Sequence, residues 1–195
     1  MEHKAFLFDT QGFDQELRKI IVTSGEENEP KPLHEYIVEN IGKVRSVYTG
    51  ELLENNWENE LELGGVQELA DFAMTCFYSP EDDRGLSYLW DALLETLKML
   101  PTKMDPEYYI LGHPIESEKF SLDPGGMGLG IIQINDIPVV LKDLKDLRGT
   151  IIENGMPLSE VLYEHTFSEI VEAYDELIKL YNEAADMRTG LLMTF

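Results

Sequence analysis

Between Arg45 and Arg84 the chain runs for 38 residues without a Lys or Arg, while carrying Glu51, Glu54, Glu58, Glu60, Glu62, Glu68, Asp71, Glu81, Asp82 and Asp83. Ten carboxylates with no internal cation cannot be buried together, because each unpaired charge taken out of water costs several kcal/mol. Such a stretch either turns its charges to solvent around an apolar face or keeps them for a positively charged partner. Part of it has that apolar face. Val66, Leu69, Ala70, Ala73 and Phe77 recur at helical spacing from Gly65 to Tyr78.

The rest of the chain must then supply a core, and its composition allows one. With 43% hydrophobic and 10% aromatic residues it is too apolar for the disordered class, although 38 acidic against 15 basic residues give a formal charge of −23. A length of 195 residues favours one domain over 1–195, with 46–83 as its acidic segment. The charge repels phosphate backbones and anionic headgroups, so neither nucleic acid nor bare membrane is an expected partner. The lone Cys76 lies among Ala73, Met74, Phe77 and Tyr78, as a small buried hydrophobe in a reducing compartment does. Ala5-Phe6-Leu7-Phe8 is too short for a signal peptide, and nothing approaches the roughly 18 apolar residues of a membrane span. The expected location is the cytoplasm.

Periodicity places the elements. Lys4 to Asp9 reads as a strand, broken by Gln11-Gly12, and Asp14 to Val22 as an amphipathic helix. Thr23 to Pro32 reads as an exposed loop, and Leu33 to Val47 as a second helix. Leu61 and Leu63 alternate with Glu60 and Glu62 as in a half-exposed strand. A helix is expected from Leu86 to Pro101, strands at Tyr108 to Leu111 and Lys119 to Leu122, and another at Ile131 to Ile134. Asn135 caps a helix closed by Gly149, and Gly155-Met156-Pro157 opens a short helix to Tyr163. Thr166 with Glu169 makes a capping box for a long helix, and Leu191 to Phe195 suggests a closing strand. Strands and helices mix without regular βαβ alternation, so the expectation is an α+β fold, several helices on a small mixed sheet.

The motifs exclude more than they identify. Gly125, Gly126, Gly128 and Gly130 imitate a nucleotide loop, but Ile131 stands where the dinucleotide fingerprint needs glycine, and Ile131-Ile132 where a P-loop needs Lys and Ser or Thr. His165, Glu169, Glu172 and Glu176 share one helix face at ligand-compatible spacing, yet that face lies opposite the apolar stripe, where solvated charges belong. Glu81-Asp82-Asp83-Arg84-Gly85 lacks the alternation of a calcium loop. The histidines show no zinc spacing, and His113 in Gly112-His113-Pro114 is the best single candidate for proton transfer. No catalytic set, metal site or cofactor is expected.

From Arg84 onward, Tyr88-Leu89-Trp90-Asp91-Ala92-Leu93-Leu94, then Ile110-Leu111-Gly112-His113-Pro114-Ile115, then Gly128 to Val140, then Leu177 to Phe195 with its Leu-x-x-Leu-Tyr-x-x-Ala-Ala run follow one another. In that order they resemble the YfbM-like family, small bacterial proteins with a domain of unknown function, over residues 84–195. The resemblance implies a compact α+β domain and carries over no catalytic residue. This chain departs from the family pattern at Ile131-Ile132, where an Arg-aromatic pair is usual, and at Leu94 or Glu95, where a His is usual. Residues 46–83 look like an expansion beyond shorter members.

Two functional expectations remain beside the plain one, that the charge serves only solubility. The first is a non-enzymatic acidic binding or regulatory protein, of immunity type, that meets a basic protein partner through Glu51, Glu54, Glu58, Glu60, Glu62, Glu81, Asp82 and Asp83. The alternative is a small ligand-binding domain or enzyme with a pocket near Trp90, His113 and the Gly125–Gly130 loop, Gly126 and Gly128 included.

Overall fold

Three short apolar runs make the sheet: β1 (Lys4–Phe8), β2 (Leu129–Ile132) and β3 (Gly190–Thr194). The computed structural model describes residues 2–126, 128–153 and 165–195. The strand order is β1-β3-β2, and both pairings are antiparallel rather than mixed. The register lays Lys4, Thr194 and Leu129 side by side in one row across the three strands.

Helices cover both faces of this sheet, which explains why its strands read as unbroken apolar runs instead of alternating. Phe6, Phe8, Leu129, Ile131 and Leu192 pack into one core with α1 (Thr10–Glu16), α2 (Arg18–Glu27), α3 (Lys31–Glu39) and α4 (Val66–Met74). Ala5, Ile132, Leu191 and Met193 pack into a second core with α5 (Trp90–Lys98), α6 (Pro106–Leu111), α7 (Ile137–Glu153) and α8 (Phe167–Met187). The result is an α+β domain in which an N-terminal and a C-terminal helical layer share one three-stranded sheet.

The second core is tied by tyrosines. Tyr109, Tyr174 and Tyr181 are fully buried, and their hydroxyls donate to the Asp143 carboxylate (2.6 Å), the Leu144 carbonyl (2.6 Å) and the Tyr109 carbonyl (2.9 Å). Asp143, with a side chain only 3% exposed, also accepts from the Lys103 amide (2.8 Å) and pairs with its ammonium (3.2 Å). Burial alone would push the Asp143 carboxyl up, but these three donors hold it below the ordinary range.

Several local expectations are corrected. Tyr108 to Leu111 is not a strand but part of α6, because the Asp105 side chain caps the Glu107 amide (3.0 Å) and Pro106 takes the first helical position. Leu61 and Leu63 form no strand, since the amides of Glu62, Leu63 and Gly64 are taken by the Glu68 carboxylate. The helix expected at 14–22 is two, α1 and α2, meeting at Leu17, and Gly12 lies inside α1 with its amide on the Asp9 cap. Thr23 to Glu27 continues α2 instead of looping, with Asn28 in the left-handed conformation as the stop. Gly25 is there for packing, since an added Cβ would strike the Phe120 ring.

The helix expected at 33–47 stops at Glu39, and the one expected from Leu86 begins at Trp90. Lys119 to Leu122 contributes an isolated bridge between Glu116 and Ser121. Gly149 lies within α7 and does not close it. The capping box at Thr166 and Glu169 is present, and the helix placed at 155–163 lies outside the described residues.

Candidate functional site

The acidic segment is fastened at a few points and exposed between them. Leu53 and Trp57, four residues apart, insert into the first core, where Trp57 meets Phe72 (6.4 Å) and His34 (5.3 Å). Glu51, Glu54, Glu58, Glu60 and Glu62 between and beyond them are exposed. Glu58 lies 2.6 Å from the His34 Nε2, while no ion pair among the described residues engages Glu51, Glu54, Glu60 or Glu62. The C-terminal layer differs. There Arg84, Lys98, Lys103, Lys142, Arg148 and Lys179 each pair with a carboxylate.

Glu68, at the third position of α4, organises the end of the segment. Its carboxylate accepts from the amides of Glu62 (2.6 Å), Leu63 (2.9 Å) and Gly64 (2.7 Å) and from the Tyr48 hydroxyl (3.2 Å). Burial would raise its affinity for a proton, but the three amides and the phenol outweigh it and hold the group below its ordinary range. Tyr48 is pushed up to about 12 by burial and by the Glu68 charge. Leu63 therefore projects, 90% exposed, from a loop whose backbone is fastened, with Tyr48 beside it and Leu52 also exposed. The face is acidic with apolar points fixed in it.

The three acidic residues of the next turn divide. Glu81 lies against Gly50, so the turn abuts the 51–62 stretch. Asp82 is exposed. Asp83 is partly committed to structure, because one of its oxygens accepts from the amides of Ala5 (3.1 Å) and Gly85 (2.8 Å) and so seals the open edge of β1.

Two clefts flank the point where the glycine loop crosses the end of β3. One, of about 390 Å³, is floored by Lys4, Thr194 and Leu129 and walled by Phe6, Val47, Asp71, Tyr78, Pro80, Gly125 and Phe195, with Glu2 at its margin. The other, of about 370 Å³, is lined by Trp90, Glu107, Leu111, Gly112, Pro114, Gly128, Leu129 and Phe195. Gly128 (φ +109°) and Phe195 belong to both, and a Cβ on Gly128 would come within 2.8 Å of the Phe195 ring. The glycine there is demanded by crossing a ring, not by a phosphate.

Of the pocket residues named from sequence, the structure brings Trp90 and Gly128 together. His113 is exposed, its backbone bonded both ways to Ile131 (2.9 and 2.8 Å) and its ring on Tyr108 (4.4 Å). Gly126 takes a positive φ in a turn closed on the Asp123 carbonyl (3.1 Å). Neither His113 nor Gly126 lines the two clefts.

The residue sequence reasoning missed is Asp71. It sits on α4 between buried Leu69, Ala70, Phe72, Ala73 and Met74, an ionisable group inside an otherwise apolar run. That interruption was the available signal. Burial and the nearby Glu68 charge push its carboxyl up to about 6.

The long-helix carboxylates are accounted for locally, since Glu169 closes the capping box, Ser168 bonds Glu172 (3.3 Å) and Glu176 pairs with Lys179 (3.2 Å). Burial pushes the Cys76 thiol up, away from the reactive thiolate. Among the described residues no group of three or more His, Cys, Asp or Glu is placed to hold a metal, and no helix is long and apolar enough to cross a membrane. Comparison of the chain with protein-family models, with curated proteins and with solved structures finds no match.

Proposed function

We propose that this is a non-enzymatic acidic binding protein, of regulatory or immunity type, that recognises a basic protein partner through the face carried by residues 45–65 and 79–83. One observation carries the reading: among the described residues no ion pair engages Glu51, Glu54, Glu60 or Glu62, while Arg84, Lys98, Lys103, Lys142, Arg148 and Lys179 of the C-terminal layer are each already paired with a carboxylate. Unpaired exposed carboxylates cost little in isolation and attract a cationic surface over about a Debye length, which speeds encounter and makes binding salt-sensitive. Leu63 and Tyr48, fixed by Glu68, give such a partner apolar contact points that charge alone lacks. The resemblance of residues 84–195 to the YfbM-like family belongs to the same proposal, as does a cytoplasmic setting.

The alternative, a ligand-binding domain or enzyme centred near Trp90, draws on the 370 Å³ cleft, whose only ionisable group among the described lining residues is Glu107. That set lacks a base with an orienting partner. The test is capture from a native-host extract at low salt, comparing the wild type with a Glu51→Gln, Glu54→Gln, Glu60→Gln, Glu62→Gln variant. The wild type is expected to retain a strongly basic protein, lost in the variant and at about 0.5 M salt. Failure of the wild type to retain any basic protein, or equal retention by the variant, overturns the reading.

A further inference from the structure

We propose that the 390 Å³ cleft at the end of the sheet receives an alkylammonium or guanidinium group, seated beside Asp71 with its apolar stem against Phe6, Tyr78 and Phe195. The volume lies in the range of sites that hold small organic groups. Its walls supply three aromatic side chains, and ring faces attract a cation as well as covering an alkyl stem.

Asp71 sets the sign. Among the described residues no hydrogen bond or ion pair engages it, whereas half-buried Glu68 and buried Asp143 are each satisfied by three or more donors. Asp71 is half-buried on the cleft wall with no donor among the described residues, so a cation with N–H donors would supply the charge-assisted partner it lacks. Glu2 and Lys4 at the margin and floor offset one another in charge, so the carboxylate of Asp71 decides which ligand is held. An anion is disfavoured there and by the net charge of −23.

The source of the cation rests on the proposed function. Val47, Asp71, Tyr78 and Pro80 all belong to the acidic segment, so the cleft opens beside the face assigned to a basic partner, and a Lys or Arg side chain of that partner is the natural occupant. A free organic cation offers the same chemistry.

The experiment titrates the full ¹⁵N-labelled chain with N-acetyl-argininamide at low salt and follows backbone amide shifts. Saturable shifts are expected at Asp71, Tyr78, Gly128 and Thr194. Asp71→Asn should weaken binding about tenfold, the worth of one charge-assisted hydrogen bond, and the four-glutamate variant should change it less than about twofold. Binding should also fall about fivefold from pH 7 to pH 5 as Asp71 takes up its proton and comes to resemble Asp71→Asn. The groups facing Asp71 are Glu68, Tyr48 and Tyr78, with Glu2 and Lys4 across the cleft. Asp71→Asn removes an unsatisfied charge, so it is expected to melt no lower than the wild type, which keeps the comparison valid.

Shifts confined to residues 51–62, an unchanged affinity in Asp71→Asn, or no saturable shift at all overturns the cleft and leaves the basic-partner face to be judged by capture. If Asp71→Asn also weakens the captured partner about tenfold, the cation is the partner's. If it weakens only N-acetyl-argininamide, the occupant is a free cation.

Discussion

His3 is the most consequential single ring to perturb. It is wholly buried, its Nε2 lies 2.9 Å from the Ile110 carbonyl, and its Nδ1 accepts from the Leu86 amide at 3.1 Å. The accepting Nδ1 places the proton on Nε2, which donates to a carbonyl that the short helix α6 leaves without a partner of its own. One neutral tautomer thus joins β1, α6 and the turn before α5. His3→Phe keeps the ring and removes both nitrogens, leaving a donor and an acceptor unsatisfied. At roughly 1–3 kcal/mol each the loss is about 2–6 kcal/mol, a large share of the stability of an ordinary domain.

The pH dependence has a definite sign. Burial drives the His3 pKa down, against the carbonyl bond and the Asp83 charge, so the unfolded chain takes up the proton first as pH falls through 6.5. The His3 contribution is therefore full above the unfolded pKa and declines below it, by at most about 1.4 kcal/mol per pH unit. Asp71, raised to about 6, acts in the opposite direction between that value and its unfolded pKa, so the informative quantity is wild type minus variant. Urea unfolding followed by fluorescence of Trp57 and Trp90, one in each helical layer, measures it between pH 7.5 and 5. Parallel pH curves for the two proteins, or a loss below about 1 kcal/mol at pH 7.5, would refute the argument.

Two glycines make a second test. Gly130→Ala drives a Cβ into the Leu111 carbonyl oxygen and is expected to cost about 3 kcal/mol or more in thermal or urea denaturation, whereas Gly149→Ala, in open space inside α7, should stabilise by about 0.5–1 kcal/mol. Asp143→Asn should lower stability by about 2–4 kcal/mol at neutral pH, because the Tyr109 hydroxyl, the Lys103 amide and the Lys103 ammonium lose a charged acceptor. Since the folded pKa of Asp143 is depressed, its contribution is present above the unfolded value of about 3.8 and lost as pH falls through the folded value, so variant and wild type should converge in strong acid.

Legibility in the sequence followed the range of the forces involved. The capping box at Thr166, the helix at Val66–Met74 and the edge and central strands at Lys4–Phe8 and Gly190–Thr194 are local patterns, and they were readable. Tyr108-Tyr109-Ile110-Leu111 has the composition of a strand, and what decides it is the Asp105-Pro106 cap together with tyrosine hydroxyls that reach Asp136 and Asp143 some thirty residues away. Gly25 and Gly149 look alike as sequence breaks, yet one is a contact with Phe120 and the other has nothing near it. The cleft beside Asp71 was not readable, because its walls come from β1, the loop at Val47, α4, the turn at Pro80, the glycine loop and the end of β3. No spacing rule joins those six places.

The strand order bears on how the chain reaches this state during synthesis. β3 lies in the middle of the sheet but is translated after both of its neighbours, and the hydrogen bond from Thr189 to the Phe8 carbonyl spans 181 residues. Until β3 emerges, β1 and β2 have no common partner, and Phe6, Phe8, Ile131 and Ile132 lack the strand that covers them. The N-terminal helices can condense on the ribosome, but the sheet closes only once β3 has emerged. A ribosome-stalled chain ending before Gly190 should thus be a substrate for chaperones, its N-terminal layer collapsed and its sheet edge open.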